Sequence, residues 1–147
     1  METYRRIVCP QAMNGFLLES GDSWITKIYN LCGGNNFGPE LNNPTKYIGC
    51  LGGIIGINHY EGLKTGSIQL ICKDGTPTDT VGKSTAEGSM KTFTCPQGQL
   101  VNAFSGVSDK EGIRSLAFEC MDPSKTSNSA STAEVSSKTS LWVLWVL

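Results

Sequence analysis

Six cysteines are the residues of this 147-residue chain whose type and spacing most directly indicate chemistry. They fall into three successive pairs with intervals of 23, 22 and 25 residues. An even number of regularly spaced cysteines is typical of a disulfide framework. Because the interval repeats, we predict the bridges Cys9–Cys32, Cys50–Cys72 and Cys95–Cys120, each tying the ends of its own hairpin-like unit. The loop-closure estimate gives each bridge roughly 3 kcal/mol of stabilisation.

The alternative chemistry for these cysteines is a zinc site. The chain has no CxxC motif and a single histidine, His59, whereas structural zinc sites use closely spaced ligand pairs. Disulfides are therefore favoured, and they indicate a secreted or cell-surface protein. The opening METYRRIVCP has no apolar h-region, so we interpret the N-terminus as incomplete and lacking its signal peptide. A cytosolic protein with free thiols is the competing interpretation.

The loop Gly21, Asp22, Ser23 and Trp24 has the residue types of a sugar site. An indole face can stack on the apolar face of a pyranose, while the carboxylate and hydroxyl bond sugar hydroxyls. We therefore take these four residues as candidate carbohydrate-binding residues. The alternative is that Trp24 packs at an end of the fold and Asp22 only shapes the turn.

Two further loops offer candidate carbohydrate-binding residues. His59 and Tyr60 supply polar and aromatic groups in the equivalent loop of the second unit, although a lone histidine at a strand end is usually a surface residue. Gly33, Gly34 and Asn35 could present backbone N–H groups, although Gly–Asn runs are also common in turns. The segment 109–111 of the third unit, Asp-Lys-Glu, is most simply a solvated charged turn.

Catalysis has little support in the sequence. Glu19, Asp22, Glu61 and Glu111 could supply the paired carboxylates of a glycosidase, but their spacing does not show that any two converge. No phosphate-binding loop, dinucleotide fingerprint or histidine-based triad is recognisable. We predict a non-enzyme with no cofactor and no metal. The net charge of −1 also argues against nucleic acid as a partner.

The elements that position these residues are predicted to be short β-strands in three repeated units, at about 4–32, 46–72 and 91–120. Seventeen glycines and clustered β-branched and aromatic residues favour an all-β chain, and the period itself indicates a repeat architecture. An apolar residue stands four positions before each closing cysteine, namely Ile28, Ile68 and Leu116. The predicted strands are Tyr4–Val8, Met13–Glu19, Ile25–Leu31, Lys46–Ile48, Ile54–His59, Ser67–Cys72 and Lys91–Thr94, with two more in the runs LVNAF and IRSLAF of unit three.

The chain changes character after residue 122. Residues 1–122 form the predicted β domain, and residues 123–147 form a Ser/Thr-rich tail, predicted to be disordered or an O-glycosylated stalk. The terminal LWVLWVL is too short to span a bilayer. Its composition is similar to a shortened GPI-attachment signal, and a truncated or frameshifted end is the alternative.

The third unit with its connector, GSMKTFTCPQGQLVNAFSGVSDKEGIRSLAFEC, resembles the repeat of jacalin-like β-prism lectins. The connector GGNNFG at 33–38 is similar to the glycine-rich segment that precedes a phenylalanine in those domains. The resemblance implies an all-β fold, a β-prism of three repeats of antiparallel strands. It also implies a carbohydrate-binding module without catalysis, whose partners are glycans or glycoproteins. A homo-oligomer is left open.

Unit one also resembles the vitelline membrane outer layer protein, a β-prism protein with disulfides in its repeats. The matching positions are Gly15, Phe16, Leu18, Glu19, Asp22, Ser23, Ile25, Ile28 and Cys32. This second resemblance implies an alternative function, a structural protein of an extracellular coat or matrix.

Both families have features that this chain lacks. Jacalin-like lectins combine a GG loop with an aspartate that accepts bonds from sugar hydroxyls. Aligned on the closing cysteines, the aspartate position is occupied by Thr26, Gly66 and Arg114. The tryptophans of the vitelline-type connectors are also missing. Unit one lacks a leading connector, so we expect one sheet to be short of a strand and to expose an edge.

Overall fold

The computed structural model describes residues 2–30, 32, 36–84 and 87–124. These residues form eleven β-strands and no α-helix. The strands are β1 (Thr3–Val8), β2 (Gly15–Ser20), β3 (Ile25–Asn30), β4 (Asn36–Phe37), β5 (Thr45–Gly49), β6 (Ile54–Gly62), β7 (Thr65–Cys72), β8 (Val81–Gly82), β9 (Gly88–Thr94), β10 (Leu100–Asp109) and β11 (Gly112–Met121). The all-β prediction is confirmed. The predicted tail lies outside the described residues from 125 onward and stays a prediction.

The strands form three antiparallel sheets, each built on one hairpin. The first sheet has the order β4-β3-β2-β5, the second β8-β7-β6-β9, and the third β1-β10-β11. The central hairpins β2–β3, β6–β7 and β10–β11 coincide with the apolar runs expected within the units. Alternation of apolar and polar residues along each hairpin directs one face of every sheet toward a shared core.

The edge strands pair with hairpins that lie outside the predicted units to which those strands were assigned. The strand assigned to the start of unit two, β5, pairs with β2 of the first sheet, and β9 pairs with β6 of the second. The N-terminal strand β1, assigned to unit one, pairs along its whole length with β10 in the third sheet. Each leading strand thus completes the preceding sheet, and β1 closes the ring by completing the last one.

The three predicted disulfides are all present, Cys9–Cys32, Cys50–Cys72 and Cys95–Cys120. Each bridge ties the ends of its own unit, and the strand pairing adds that these two ends belong to different sheets. Each opening cysteine follows an edge strand of one sheet, whereas its partner ends or follows a hairpin strand of the next sheet. The bridges therefore link the third sheet to the first, the first to the second, and the second to the third.

Among the described residues one sheet is short of a strand, because the third has three strands and the other two have four. In the first two sheets a two-residue strand follows the closing cysteine and ends at a glycine turn, at Phe37–Gly38 and Val81–Gly82. Both glycines have positive φ, 124° and 93°, and a Cβ on either would overlap a carbonyl oxygen of the neighbouring strand. Between Cys120 and residue 124, where the described part of the chain ends, no such strand follows β11.

The core lies between the three sheets. Ile28, Ile68 and Leu116, which the repeat predicted to be equivalent, are exposed by only 1%, 2% and 6%. Phe104 of the third sheet packs edge-on against Phe16 of the first, with ring centroids 5.7 Å apart. Burial of such side chains contributes roughly 1.5–3 kcal/mol each. This core holds the hairpin turns at fixed positions relative to one another.

Candidate functional site

The turn between β2 and β3 carries the candidate residues Gly21 to Trp24. Its backbone is closed by the Gly21 N–H donating to the Trp24 carbonyl at 2.9 Å. The indole Nε1 of Trp24 donates to the Glu111 carbonyl at 2.8 Å, in the turn between β10 and β11. Two turns that are far apart in sequence are therefore in direct contact at one end of the molecule.

A depression of 480 Å³ lies beside these turns, and we call it the Trp24 groove. Trp24 and Leu41 supply its large apolar surfaces, and the other side chains are polar or charged. The lining residues are Gly21, Asp22, Ser23, Trp24, Thr26, Leu41, Asn43, Lys110 and Glu111. The groove thus combines an aromatic ring with convergent polar groups, which is the composition of a small-ligand site.

The connector between β4 and β5 forms one wall of the groove and is fixed to the first sheet. Ser20 N–H donates to the Pro44 carbonyl at 3.1 Å. The buried Lys27 forms an ion pair with Glu40. Thr26 Oγ1 donates to Glu19 Oε1 at 2.7 Å, and Asn43 Nδ2 lies 3.4 Å from the same hydroxyl. These contacts hold the wall in place without a ligand, so the groove is largely preformed.

Trp24 both packs within the structure and lines the groove. The ammonium of Lys64 lies 5.6 Å from the centroid of its ring, which is a cation–π distance. A Cβ on Gly112 would lie 2.8 Å from indole atoms, so the turn between β10 and β11 approaches the ring closely. The interpretation that Trp24 only packs at an end of the fold accounts for these contacts but not for its place in the groove wall.

Asp109 organises the turn that faces Trp24. Its Oδ1 accepts the Glu111 N–H at 2.8 Å, and its Oδ2 accepts Lys64 at 3.0 Å and Arg114 at 3.1 Å. Burial alone would raise the pKa of Asp109. The Glu111 N–H and the two cations outweigh burial and hold the pKa well below its ordinary range. The 109–111 segment is therefore only partly the solvated turn that was expected, because Lys110 and Glu111 are exposed and Asp109 is built into the structure.

His59 and Tyr60 do not line the Trp24 groove. Strand β6 continues to Gly62, three residues beyond the predicted end at His59, so Tyr60 lies in a strand rather than in the expected loop. His59 is 5% exposed and packs edge-on against Phe118, with ring centroids 5.4 Å apart. The role of His59 and Tyr60 in sugar binding stays a prediction. Tyr60 donates its hydroxyl to the Gly88 carbonyl at 3.0 Å.

The remaining candidates precede β4, and the groove residues that sequence reasoning missed lie in the β4–β5 connector and in the β10–β11 turn. Gly33, Gly34 and Asn35 are outside the described residues, and their role stays a prediction. The groove residues not anticipated are Leu41, Asn43 and Lys110. Leu41 is isolated among polar residues and Asn43 precedes a proline, so neither carries a binding motif. Only the meeting of two distant turns reveals them.

Of the carboxylates considered for catalysis, two are internal. Glu19 is 3% exposed and bonded to Thr26. Glu61 accepts the Leu116 N–H at 2.9 Å and lies 3.2 Å from His59 Nδ1. Asp22 and Glu111 do line the Trp24 groove together, although Glu111 also pairs with Lys64 at 3.2 Å.

Two negative findings concern the described part of the chain. It contains no group of three or more His, Cys, Asp or Glu side chains placed to hold a metal ion. Within the same residues, no helix has the length and apolar character needed to cross a membrane.

No protein-family model and no curated protein matches the chain, whereas solved structures do. A prostate-specific WGA16 glycoprotein lectin matches with a TM-score of 0.73 and 17% identity, over 83% of this chain and 92% of that one. The second β-prism domain of RbmC from V. cholerae, bound to N-acetylglucosaminyl-β-1,2-mannose, matches with a TM-score of 0.61 and 21% identity, over 80% and 91%.

A galactose-specific lectin from Artocarpus hirsuta, in complex with methyl-α-D-galactose, also matches. Its TM-score is 0.64 and its identity 12%, over 80% of this chain and 98% of the lectin. At these identities the likeness concerns the fold. The resemblance to the vitelline membrane outer layer protein stays a prediction from the motif in unit one. With three sheets, three hairpins and these structural neighbours, the chain has the β-prism fold of the jacalin-like lectins.

Proposed function

We propose that this protein is an extracellular carbohydrate-binding module that acts without catalysis, and that it binds sugar in the Trp24 groove. The observation that carries the proposal is the groove itself, which an indole and a leucine line together with hydroxyl, amide and carboxylate groups. A pyranose has one face of C–H bonds and a rim of hydroxyls, so it complements such a surface. The volume of 480 Å³ falls within the range of small-ligand sites, about 300–1,000 Å³.

The site would differ from the one that the lectin resemblance implies. At the position of the expected aspartate, Thr26 is buried and bonded to Glu19. Arg114 at the equivalent position in the third unit is held by Asp109 and Glu2. Sugar hydroxyls would instead bond Asp22, Ser23 and Asn43. The bound sugars named for two structural neighbours support the ligand class, a saccharide, and not a particular sugar.

The extracellular assignment rests on the three disulfides. Such bridges persist in oxidising compartments and are rare in the cytosol. Glycans or glycoproteins of that environment are the proposed partners.

The test is a glycan-array screen of the oxidised protein and of matched variants. Trp24→Ala removes the stacking surface, and we expect it to weaken binding roughly tenfold or more, as loss of a central aromatic contact does. Asn43→Ala removes a polar group of the groove without touching the bond between Trp24 and Glu111. The control is Tyr47→Ala, which removes an aromatic side chain that is 52% exposed on the first sheet and outside the groove.

Thermal unfolding of each variant separates lost binding from lost folding. Binding that survives in both groove variants would contradict the Trp24 groove as the site. No binding by folded protein with three intact disulfides would contradict the lectin function. That result would favour the alternative of a structural coat or matrix protein, for which the disulfide-linked prism is itself the functional unit.

A further inference from the structure

A second depression lies on the other side of the turn between β10 and β11. Its volume is 320 Å³, and we call it the Arg5 groove. It lies between β1, the start of the β4–β5 connector and the β10–β11 turn. Its lining residues are Thr3, Arg5, Asn36, Phe37, Gly38, Pro39, Ser108, Asp109 and Lys110.

The two grooves share structural parts. Lys110 lines both, and the segment formed by β4 and the connector after it contributes Asn36–Pro39 to one and Leu41 and Asn43 to the other. The two grooves are therefore neighbours, with Lys110 at the boundary between them. The grooves differ in chemistry, because the aromatic residue of the Arg5 groove, Phe37, is only 2% exposed and the groove carries a guanidinium instead of an accessible indole.

The Arg5 groove carries positive charge that no described carboxylate neutralises. Arg5 is held by its Nη1 donating to the Asn36 carbonyl at 2.6 Å, and none of the ion pairs among the described residues involves Arg5 or Lys110. The carboxylate of the groove, Asp109, accepts hydrogen bonds from two backbone N–H groups and from the side chains of Lys64 and Arg114. Its acceptor oxygens are therefore already engaged.

From this arrangement we propose that the Arg5 groove binds an acidic group, a carboxylate or sulfate, of a saccharide whose neighbouring sugar occupies the Trp24 groove. A guanidinium fixed by one backbone bond keeps other N–H donors in a planar fork, which suits two oxygens of such an anion. Lys110 adds a second cation on the path between the grooves. This inference rests on the proposed function of the Trp24 groove and names the class of its ligand as acidic saccharides.

The test compares neutral disaccharides with matched acidic di- and trisaccharides by calorimetric titration. The probes are lactose with its sulfated and sialylated forms, and mannobiose with its sulfated form and a mannuronate disaccharide. We expect an acidic form in at least one set to bind about 5- to 30-fold more tightly than its neutral parent. Whether the sulfated or the carboxylate form gains identifies the anion. Screening at about 0.5 M salt should remove most of this gain and leave neutral binding unchanged.

Arg5→Gln should abolish the gain for acidic ligands, and neutral binding should persist because Arg5 does not line the Trp24 groove. Arg5→Lys keeps the charge and should retain part of the gain. The matched control is Arg6→Gln, which removes the same charge from the next position of β1, where the side chain pairs with Glu119 on the opposite face. That variant should keep the full gain.

The outcomes separate this inference from the proposed function. Neutral binding that depends on Trp24, with no gain for any acidic form or with a gain that survives Arg5→Gln, would overturn the acidic subsite alone. If no disaccharide of either set binds to the folded protein, the acidic subsite is overturned together with the function on which it rests.

Discussion

Glu61 is a carboxylate at the junction between the second sheet and the edge of β11 that has no described partner strand. It accepts the Leu116 N–H at 2.9 Å and lies 3.2 Å from His59 Nδ1 and 3.3 Å from Lys91 Nζ. An unpaired strand edge exposes backbone groups that can pair with another chain. The carboxylate of Glu61 accepts a hydrogen bond from one of those groups, the Leu116 N–H, and thereby protects the edge.

The surroundings of Glu61 make stability depend on acid pH. Burial raises its pKa, but His59, the Leu116 N–H and Lys91 outweigh burial and lower the pKa to about 2. The folded-state pKa is therefore below the unfolded one, near the ordinary value of 4.5. The stabilisation is present above about pH 4.5 and is lost as the pH falls toward 2, by on the order of 2–3 kcal/mol at most.

Urea unfolding at pH 7 and pH 3 measures this dependence. We expect the free energy of unfolding to fall less between these pH values in Glu61→Gln than in the wild type, because the variant has no carboxylate to protonate. Glu87→Gln, at an exposed position of the second sheet's loop, is the control and should behave as the wild type does. An equal fall in all three proteins would contradict this role of Glu61.

At the scale of the element, the short strands β4 and β8 depend on glycine. Val81 pairs with Ile68 and Gly82 with Ser67, and the backbone at Gly82 comes so close to β7 that a Cβ would overlap the Gly66 carbonyl. Phe37 and Gly38 occupy the corresponding place beside β3. An apolar residue followed by glycine after the closing cysteine is therefore the sequence feature that sets a fourth strand.

Gly82→Ala tests this feature against Gly75→Ala. Both glycines have φ near +90°, but nothing lies within 4 Å of a Cβ at Gly75. In Gly75→Ala the free energy of unfolding should fall by roughly 1–2 kcal/mol, because alanine is strained at positive φ. Gly82→Ala should lose about 2 kcal/mol more, as overpacking typically costs 1–3 kcal/mol. Equal losses by urea unfolding would show that β8 does not depend on the close approach.

At the scale of the whole molecule, the cysteine repeat predicted the three hairpins, the bridges and the buried positions Ile28, Ile68 and Leu116. It did not predict which sheet each edge strand joins. The residues of β1, β5 and β9 are mostly exposed and do not alternate clearly, so their sequence does not favour one neighbouring hairpin over the other. Contacts between segments far apart in sequence decide the pairing, and for the same reason the sequence revealed Trp24 but not Leu41 or Asn43. The predicted strand ends at His59 because nothing in the sequence marks the extension of β6.

The ring of disulfides leads to a final prediction about the N-terminal strand. Strand β1 is not part of a hairpin. It is held by its pairing with β10 and by the Cys9–Cys32 bridge to the first sheet. In a Cys9→Ser/Cys32→Ser variant β1 keeps only its pairing with β10 along one edge, and an edge strand with so few contacts opens with little free energy. The other two bridges join segments that are continuous with hairpins on both sides, so their loss weakens the whole prism by roughly 3 kcal/mol without releasing one strand.

Native-state hydrogen exchange followed strand by strand distinguishes these effects. In Cys9→Ser/Cys32→Ser, the amides of β1 should exchange faster relative to those of β6 and β7, because opening of β1 leaves the second sheet intact. Cys50→Ser/Cys72→Ser is the matched control and should speed exchange of all three sheets without singling out β1. If β1 keeps its relative protection in the first variant, pairing with β10 alone closes the ring and the Cys9–Cys32 bridge adds only general stability.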